Sequence, residues 1–269
     1  MKRRLFFWLK ILLIIYAAGG IALYYFQDYI FFRPVQLDKR YEFEFDYPFR
    51  EVNIPYNAES NINIIQFTSD SLPKGVVLYF HGNRRNIEWY ARFSEVFTRN
   101  GYEVWMMDYP GYGKSTGERT EKKLYEWSLL FYKLARANYS PDSIILYGKS
   151  LGSGLAAQLA SVRDCKNLIL ETPYYNFTSL VRQYVPFYPL NRIIKYKFPT
   201  NEYLPNVTAP ITIFHGTKDR LIWYSNASKL KPLLKPGDEF ITLEGGGHRG
   251  LPRYSAYQLK MDSLLSGIK

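Results

Sequence analysis

Cysteine is nearly absent: Cys165 is the only one in 269 residues, so no internal disulfide can form, and its place just before an apolar run implies a buried thiol. Histidine is almost as scarce. His81, His215 and His248 lie far apart in the chain and, with one cysteine, leave no spacing that reads as a metal-ligand cluster. No metal and no cofactor is expected. Acidic residues are outnumbered 24 to 35 by Lys and Arg, a formal charge of +11. Apart from Lys2, Arg3 and Arg4 the basic residues are scattered, and no nucleic-acid-binding motif accompanies them. A solvated surface or an anionic membrane accounts for the charge, and no nucleic-acid partner is expected. Internal repeats and low-complexity tracts are missing too. Gly113-Lys114-Ser115 and Gly148-Lys149-Ser150 end like phosphate loops, but the glycine required five residues earlier is replaced by Asp108 and Ser143.

What is abundant is apolar and aromatic, 47% and 18% of the chain, ample for one large core. Residues 5–26 form an apolar stretch interrupted only by Lys10, which gives the roughly 20 residues a helix needs to cross a bilayer. Lys10 is near enough to the start to reach back to the headgroups, and Trp8, Tyr24 and Tyr25 fall where interfacial rings prefer to sit. A cleaved signal peptide is the competing reading, because residues 17–20 are small. The resumption of apolar residues over 21–26 favours a retained span. The basic flank predicts a cytoplasmic N-terminus and an extracytoplasmic main domain, or a secreted or periplasmic protein if the segment is cleaved. The expected organisation is an anchor over 1–30 and a single folded domain, the one that carries the chemistry described below, over 31–269.

Beyond the anchor, residues 41–47 and 50–55 alternate polar with apolar or aromatic, and 61–68 is rich in Ile, which predicts half-buried antiparallel strands. Residues 75–80, 102–107, 143–147, 167–170, 210–214 and 239–243 are instead short continuous apolar runs, as in strands buried on both faces of a parallel sheet. Helical spacing separates them, in Leu124, Trp127, Phe131 and Leu134 and again in Tyr254, Tyr257, Met261 and Leu264. The alternation predicts an α/β fold with a mostly parallel, doubly wound sheet. One connection, 173–209, is too long for a simple crossover and is crowded with Tyr and Phe; it predicts an aromatic lid. Tyr174 and Tyr175, at its start, are expected to contact substrate.

The chemistry concentrates at Gly148-Lys-Ser150-Leu-Gly152, between an apolar strand-like run and the helix-compatible stretch 151–162. A sharp strand-to-helix turn exposes a serine hydroxyl but strains its backbone and leaves no room for side chains two residues either side, hence the glycines. Further marks follow in order: His81-Gly82-Asn83 after one strand, Asp108-Tyr-Pro-Gly-Tyr-Gly-Lys-Ser-Thr-Gly117 after the next, then His215-Gly-Thr-Lys-Asp219 and Gly245-Gly-Gly-His248. From about residue 51 onward the sequence resembles the α/β-hydrolase fold family, and within it the membrane-anchored α/β-hydrolase-domain proteins and the serine aminopeptidase-like or lysophospholipase-like hydrolases.

The resemblance implies Ser150 as nucleophile, Asp219 as acid and His248 as base, with an oxyanion hole from the backbone N–H groups of Asn83 and Leu151. Glu171, at another strand end, is a second candidate acid, and His81 is expected to support its loop. Trp223 stands where the family usually has a proline after the acid. The implied function is a membrane-tethered serine hydrolase of carboxylic esters or thioesters with acyl, lipid-like substrates. A serine peptidase, an acyltransferase or a catalytically silent binding protein would share these motifs, and the oligomeric state is open.

Overall fold

The computed structural model describes residues 2–68 and 72–266. Among these, eight strands form one sheet: β1 Phe49–Pro55, β2 Asn61–Phe67, β3 Gly75–Phe80, β4 Tyr102–Met107, β5 Ile144–Lys149, β6 Asn167–Glu171, β7 Ile211–Gly216 and β8 Glu239–Leu243. Their order is β8-β7-β6-β5-β3-β4-β2-β1. β1 pairs antiparallel with β2, and β2 antiparallel with β4; every other pairing is parallel. The strands β3 and β5, buried at every position, lie side by side at the centre, where the apolar runs need cover on both faces.

Four long helices are α1 Lys2–Phe31, α2 Glu121–Arg136, α3 Leu151–Val162 and α4 Ser255–Ser266. α2 starts where the Thr120 side chain accepts the Lys123 N–H, a cap that satisfies one of the open donors of the first turn. Its Leu124, Trp127 and Phe131 bury against α3 and one sheet face, with Leu78, Leu146 and Leu155. On the opposite face Tyr257 and Met261 of α4 join Phe97, Val77 and Ile145. Helices on both sides complete the doubly wound arrangement.

One expected strand is not there. Residues 41–47 carry no strand pairing; Phe43 and Phe45 instead lie across the sheet flank, with Phe45 at 5.1 Å from the ring of Phe67. The alternation reflected ring packing onto the sheet, while β1 occupies the edge where such a strand would have paired. The 173–209 connection is also more ordered than a bare loop: it folds into short helices Phe177–Arg182, Leu190–Ile193 and Thr200–Tyr203. Phe177, Val181, Leu190 and Phe198 from it are buried against the body.

Helix α1 is 30 residues long and is long and apolar enough to cross a membrane. Its second half packs on the 173–209 segment. Tyr16 stacks on Tyr188 at 4.6 Å, and their hydroxyls bond Phe187 O and Tyr16 O at 2.9 and 3.1 Å. Gly19 makes this approach possible, since a Cβ there would come to 2.3 Å from the Tyr188 hydroxyl. Gln27, fully buried, donates to Ile193 O at 3.3 Å and accepts from the Lys195 N–H at 2.8 Å. The small residues within the apolar stretch thus serve packing.

Candidate active site

Ser150 sits at the tip of the β5-to-α3 turn with φ 52° and ψ −115°, a conformation that costs a non-glycine residue on the order of 1–3 kcal/mol and persists only where the surroundings enforce it. Those surroundings are tight. A Cβ on Gly148 would lie 2.6 Å from Gly152 O, and one on Gly152 would lie 2.1 Å from Phe80 O. The Ser150 N–H donates to Glu171 O at 2.9 Å, tying the elbow to the end of β6.

Two other strand ends bring in the partners. His248 follows β8, and its Nε2 lies 3.1 Å from Ser150 Oγ. Asp219 follows β7, and its Oδ2 lies 2.8 Å from His248 Nδ1. The other carboxylate oxygen, Oδ1, accepts the N–H groups of Leu221 and Ile222 at 2.8 and 2.9 Å. Burial pushes the Asp219 carboxyl up, but the His248 hydrogen bond and charge, the Ile222 N–H and His215 together outweigh it and hold the group below its ordinary value. A carboxylate so held stays ionised and can orient an imidazole and stabilise it when it takes a proton.

Sequence reasoning missed a role for His215. Its Nε2–H donates to Ile222 O, 2.9 Å away, and lies 3.6 Å from Asp219 Oδ2, the same oxygen that His248 Nδ1 meets. Burial lowers its basicity, and from the end of β7 it backs the acid. The spacing of four between His215 and Asp219 was the available clue.

Asn83 and Leu151 both line a cavity with Ser150, and neither backbone N–H has an acceptor among the described residues. Leu151 opens α3, where the first amides lack intrahelical partners. Asn83 is braced from an unexpected quarter: its Nδ2 donates to Phe31 O at 2.8 Å, and its carbonyl accepts from the Arg33 N–H and the Tyr112 hydroxyl, each at 2.8 Å. His81 is buried beneath this loop, stacked on Tyr109 at 4.1 Å and 3.2 Å from Asp108.

Glu171 faces away from His248, bonding Lys149, Tyr147 and Tyr257 on the other side of the elbow. Tyr174 lines the cavity, with its hydroxyl 3.2 Å from Leu151 O. Tyr175 does not line it; its N–H is held by Asn226 at 2.9 Å and its ring packs on the core. The turn after Pro173 sends successive side chains to opposite sides, which residue type alone does not reveal. Trp223 is half exposed beside Tyr184. Among the described residues no group of His, Cys, Asp and Glu is arranged to hold a metal ion.

The sheet order, the strained serine between β5 and α3 and the two later strand ends converging on it are one arrangement. A family description, the serine aminopeptidases of the S33 type, matches residues 71–203. The chain has the α/β-hydrolase fold. It is 31% identical over 194 residues to the α/β hydrolase domain-containing protein 17C of Xenopus tropicalis, a match covering 71% of this chain and 61% of that protein. To the human protein of the same description it is 30% identical, covering 71% and 57%. The chain therefore spans about three fifths of the length of these relatives. Among solved structures, an esterase of Pyrococcus furiosus superposes with a TM-score of 0.66 at 16% identity, over 87% of this chain and 97% of that one. An α/β hydrolase of Vibrio vulnificus gives 0.66 at 19% identity, over 82% and 81%; at such identities the likeness is one of fold.

Proposed function

We propose that this α/β-hydrolase is a membrane-tethered serine hydrolase that cleaves carboxylic esters or thioesters of acyl, lipid-like substrates. The reading rests on one observation above all: the unbroken hydrogen-bonded series from Ser150 Oγ through His248 to Asp219, beside an apolar cavity of about 460 Å³. In the proposed cycle His248 Nε2 takes the hydroxyl proton as Ser150 Oγ attacks the acyl carbon, and the N–H groups of Asn83 and Leu151 stabilise the oxyanion. Collapse expels the alcohol or thiol, protonated by His248, and leaves an acyl-Ser150 ester. Water, deprotonated by the same imidazole, then releases the carboxylic acid and restores the serine.

The cavity wall favours acyl groups over peptides. Leu23, Phe177, Leu180, Val181 and Ile222 line it, and among the described residues its charged lining is Arg33 and Arg84, with no carboxylate. An aminopeptidase must seat a substrate ammonium, and two guanidinium groups with no acid oppose that. Tethering by α1 and the lid role of 173–209 belong to the same proposal. A retained helix is supported by Gly19 and Gly20 lying under Tyr188, and Lys2, Arg3 and Arg4 favour a cytoplasmic N-terminus with an extracytoplasmic domain. Hydrolysis of p-nitrophenyl esters and acyl thioesters by the purified full chain tests the reading. Turnover abolished in Ser150→Ala is expected; turnover equal in both proteins refutes it.

A further inference from the structure

The cavity beside Ser150 has an unusual outer wall. Leu23, Ile30 and Phe31 belong to α1, the helix read as the membrane span, and they face Leu180, Val181, Tyr184 and Val185 of the 173–209 segment. Along α1 this wall runs from Leu23 to Phe31, roughly 12 Å. The helix is fixed there by directional contacts as well as by oil: buried Gln27 bridges Ile193 O and the Lys195 N–H, and Asp28 accepts the Tyr196 hydroxyl. Its end holds the loop of Asn83 through Phe31 O and the Arg33 N–H.

The segment facing α1 carries its own lipid-seeking residues. Phe187 is 85% exposed and lies beside Tyr16, halfway along the apolar helix, while Tyr184, Leu221 and Trp223 are exposed around the cavity. A solvated surface does not favour so many bare rings together, whereas a bilayer interface does. Where α1 enters the membrane, the cleft between it and the 173–209 segment enters with it.

Resting on the hydrolase reading above, we propose that the acyl chain of the substrate passes from the bilayer into a groove between α1 and the 173–209 segment. Leu23 and Ile30 set the chain length accepted. The anchor is thereby a specificity element of the site. A water-borne substrate would need no such wall; a chain already in lipid reaches Ser150 without crossing water.

The test uses the full chain in phosphatidylcholine nanodiscs, with p-nitrophenyl acetate and p-nitrophenyl palmitate, comparing wild type with Leu23→Trp and Ile30→Trp. Each buried methylene is worth roughly fourfold in kcat/KM, so an indole displacing a few of them lowers the palmitate value on the order of 50-fold. The acetate value falls far less, because a two-carbon acyl group does not reach the wall, so the palmitate-to-acetate ratio drops by more than about tenfold. A proportionate fall for both esters, or no change in either, overturns the groove. Failure of the hydrolase reading shows up separately, as wild-type turnover of neither ester or turnover unaffected by Ser150→Ala. In that event cross-linking of diazirine-bearing palmitate to Ser150→Ala still reads the groove. Adducts on both 23–31 and 180–185 are expected, and adducts confined to residues 2–18 overturn it.

Discussion

Gly152 offers a quantitative test of how the elbow is held. A methyl group there would sit 2.1 Å from Phe80 O and 2.5 Å from Phe80 C, both backbone atoms at the end of β3. Ordinary contact needs well over 3 Å, so in Gly152→Ala α3 and the end of β3 must part by about 1 Å. Ser150 and Leu151 ride on α3, and Asn83 follows Phe80 by three residues, so the displacement opens the space between the two proposed oxyanion donors. Overpacking of this kind costs about 1–3 kcal/mol of stability, and a misplacement of about 1 Å at the reacting groups costs on the order of 100-fold in kcat. Gly75→Ala supplies the control. Its methyl would meet Ser143 O at the same 2.1 Å, but at the opposite end of β3, roughly 17 Å from Phe80 at strand spacing. Urea melts should show both variants destabilised to a similar extent, while kcat per folded molecule collapses only in Gly152→Ala. Wild-type kcat in Gly152→Ala, or equal losses in both, would show that the β3–α3 contact does not position the donors.

Asp219→Asn leaves His248 free to adopt the wrong tautomer and should lower kcat by about 10⁴-fold in steady-state ester hydrolysis, with little change in KM. Replacing Lys149 by Met strands Glu171, a buried carboxylate whose only cation partner it is among the described residues; chemical denaturation should register a loss of about 3–5 kcal/mol. Burial lowers the basicity of His215 below the ordinary 6.5, so the unfolded chain takes up that proton more readily than the folded one. Stability should therefore fall as pH drops below about 6.5, by up to roughly 1.4 kcal/mol per pH unit, and His215→Gln should flatten that slope in pH-dependent urea melts. Burial also pushes the Cys165 thiol up to about 12, so Ellman's reagent at mildly alkaline pH should find no reactive thiol until denaturant is added.

Much of the architecture could be read before any coordinates. Each continuous apolar run became a strand of the central sheet, because only strands buried on both faces tolerate such runs, and Leu124, Trp127 and Phe131 marked a helix by their spacing. Ser150 stood out because the turn chemistry of an exposed serine imposes glycines visible in one dimension, whereas Asp219 and His248 were singled out through the resemblance; the three lie in hydrogen-bonding sequence. Residues 41–47 misled, since rings laid on a sheet flank alternate as strand residues do. The wall formed by Leu23, Ile30 and Phe31 was hidden for a different reason: apolar residues in a long apolar helix look alike whether they face lipid or protein. Gln27 was the exception that could have given it away, because an amide in such a stretch requires partners, and they came from 193 and 195, far along the chain.

Ser150 acts in this proposal as a nucleophile made reactive by His248 and Asp219. Labelling with a fluorophosphonate followed by peptide mass mapping addresses it directly. A single phosphonyl adduct on Ser150 is expected in the wild type, none in Ser150→Ala, and labelling slowed by orders of magnitude in His248→Ala. An adduct on another residue, or equal labelling of wild type and His248→Ala, would contradict it.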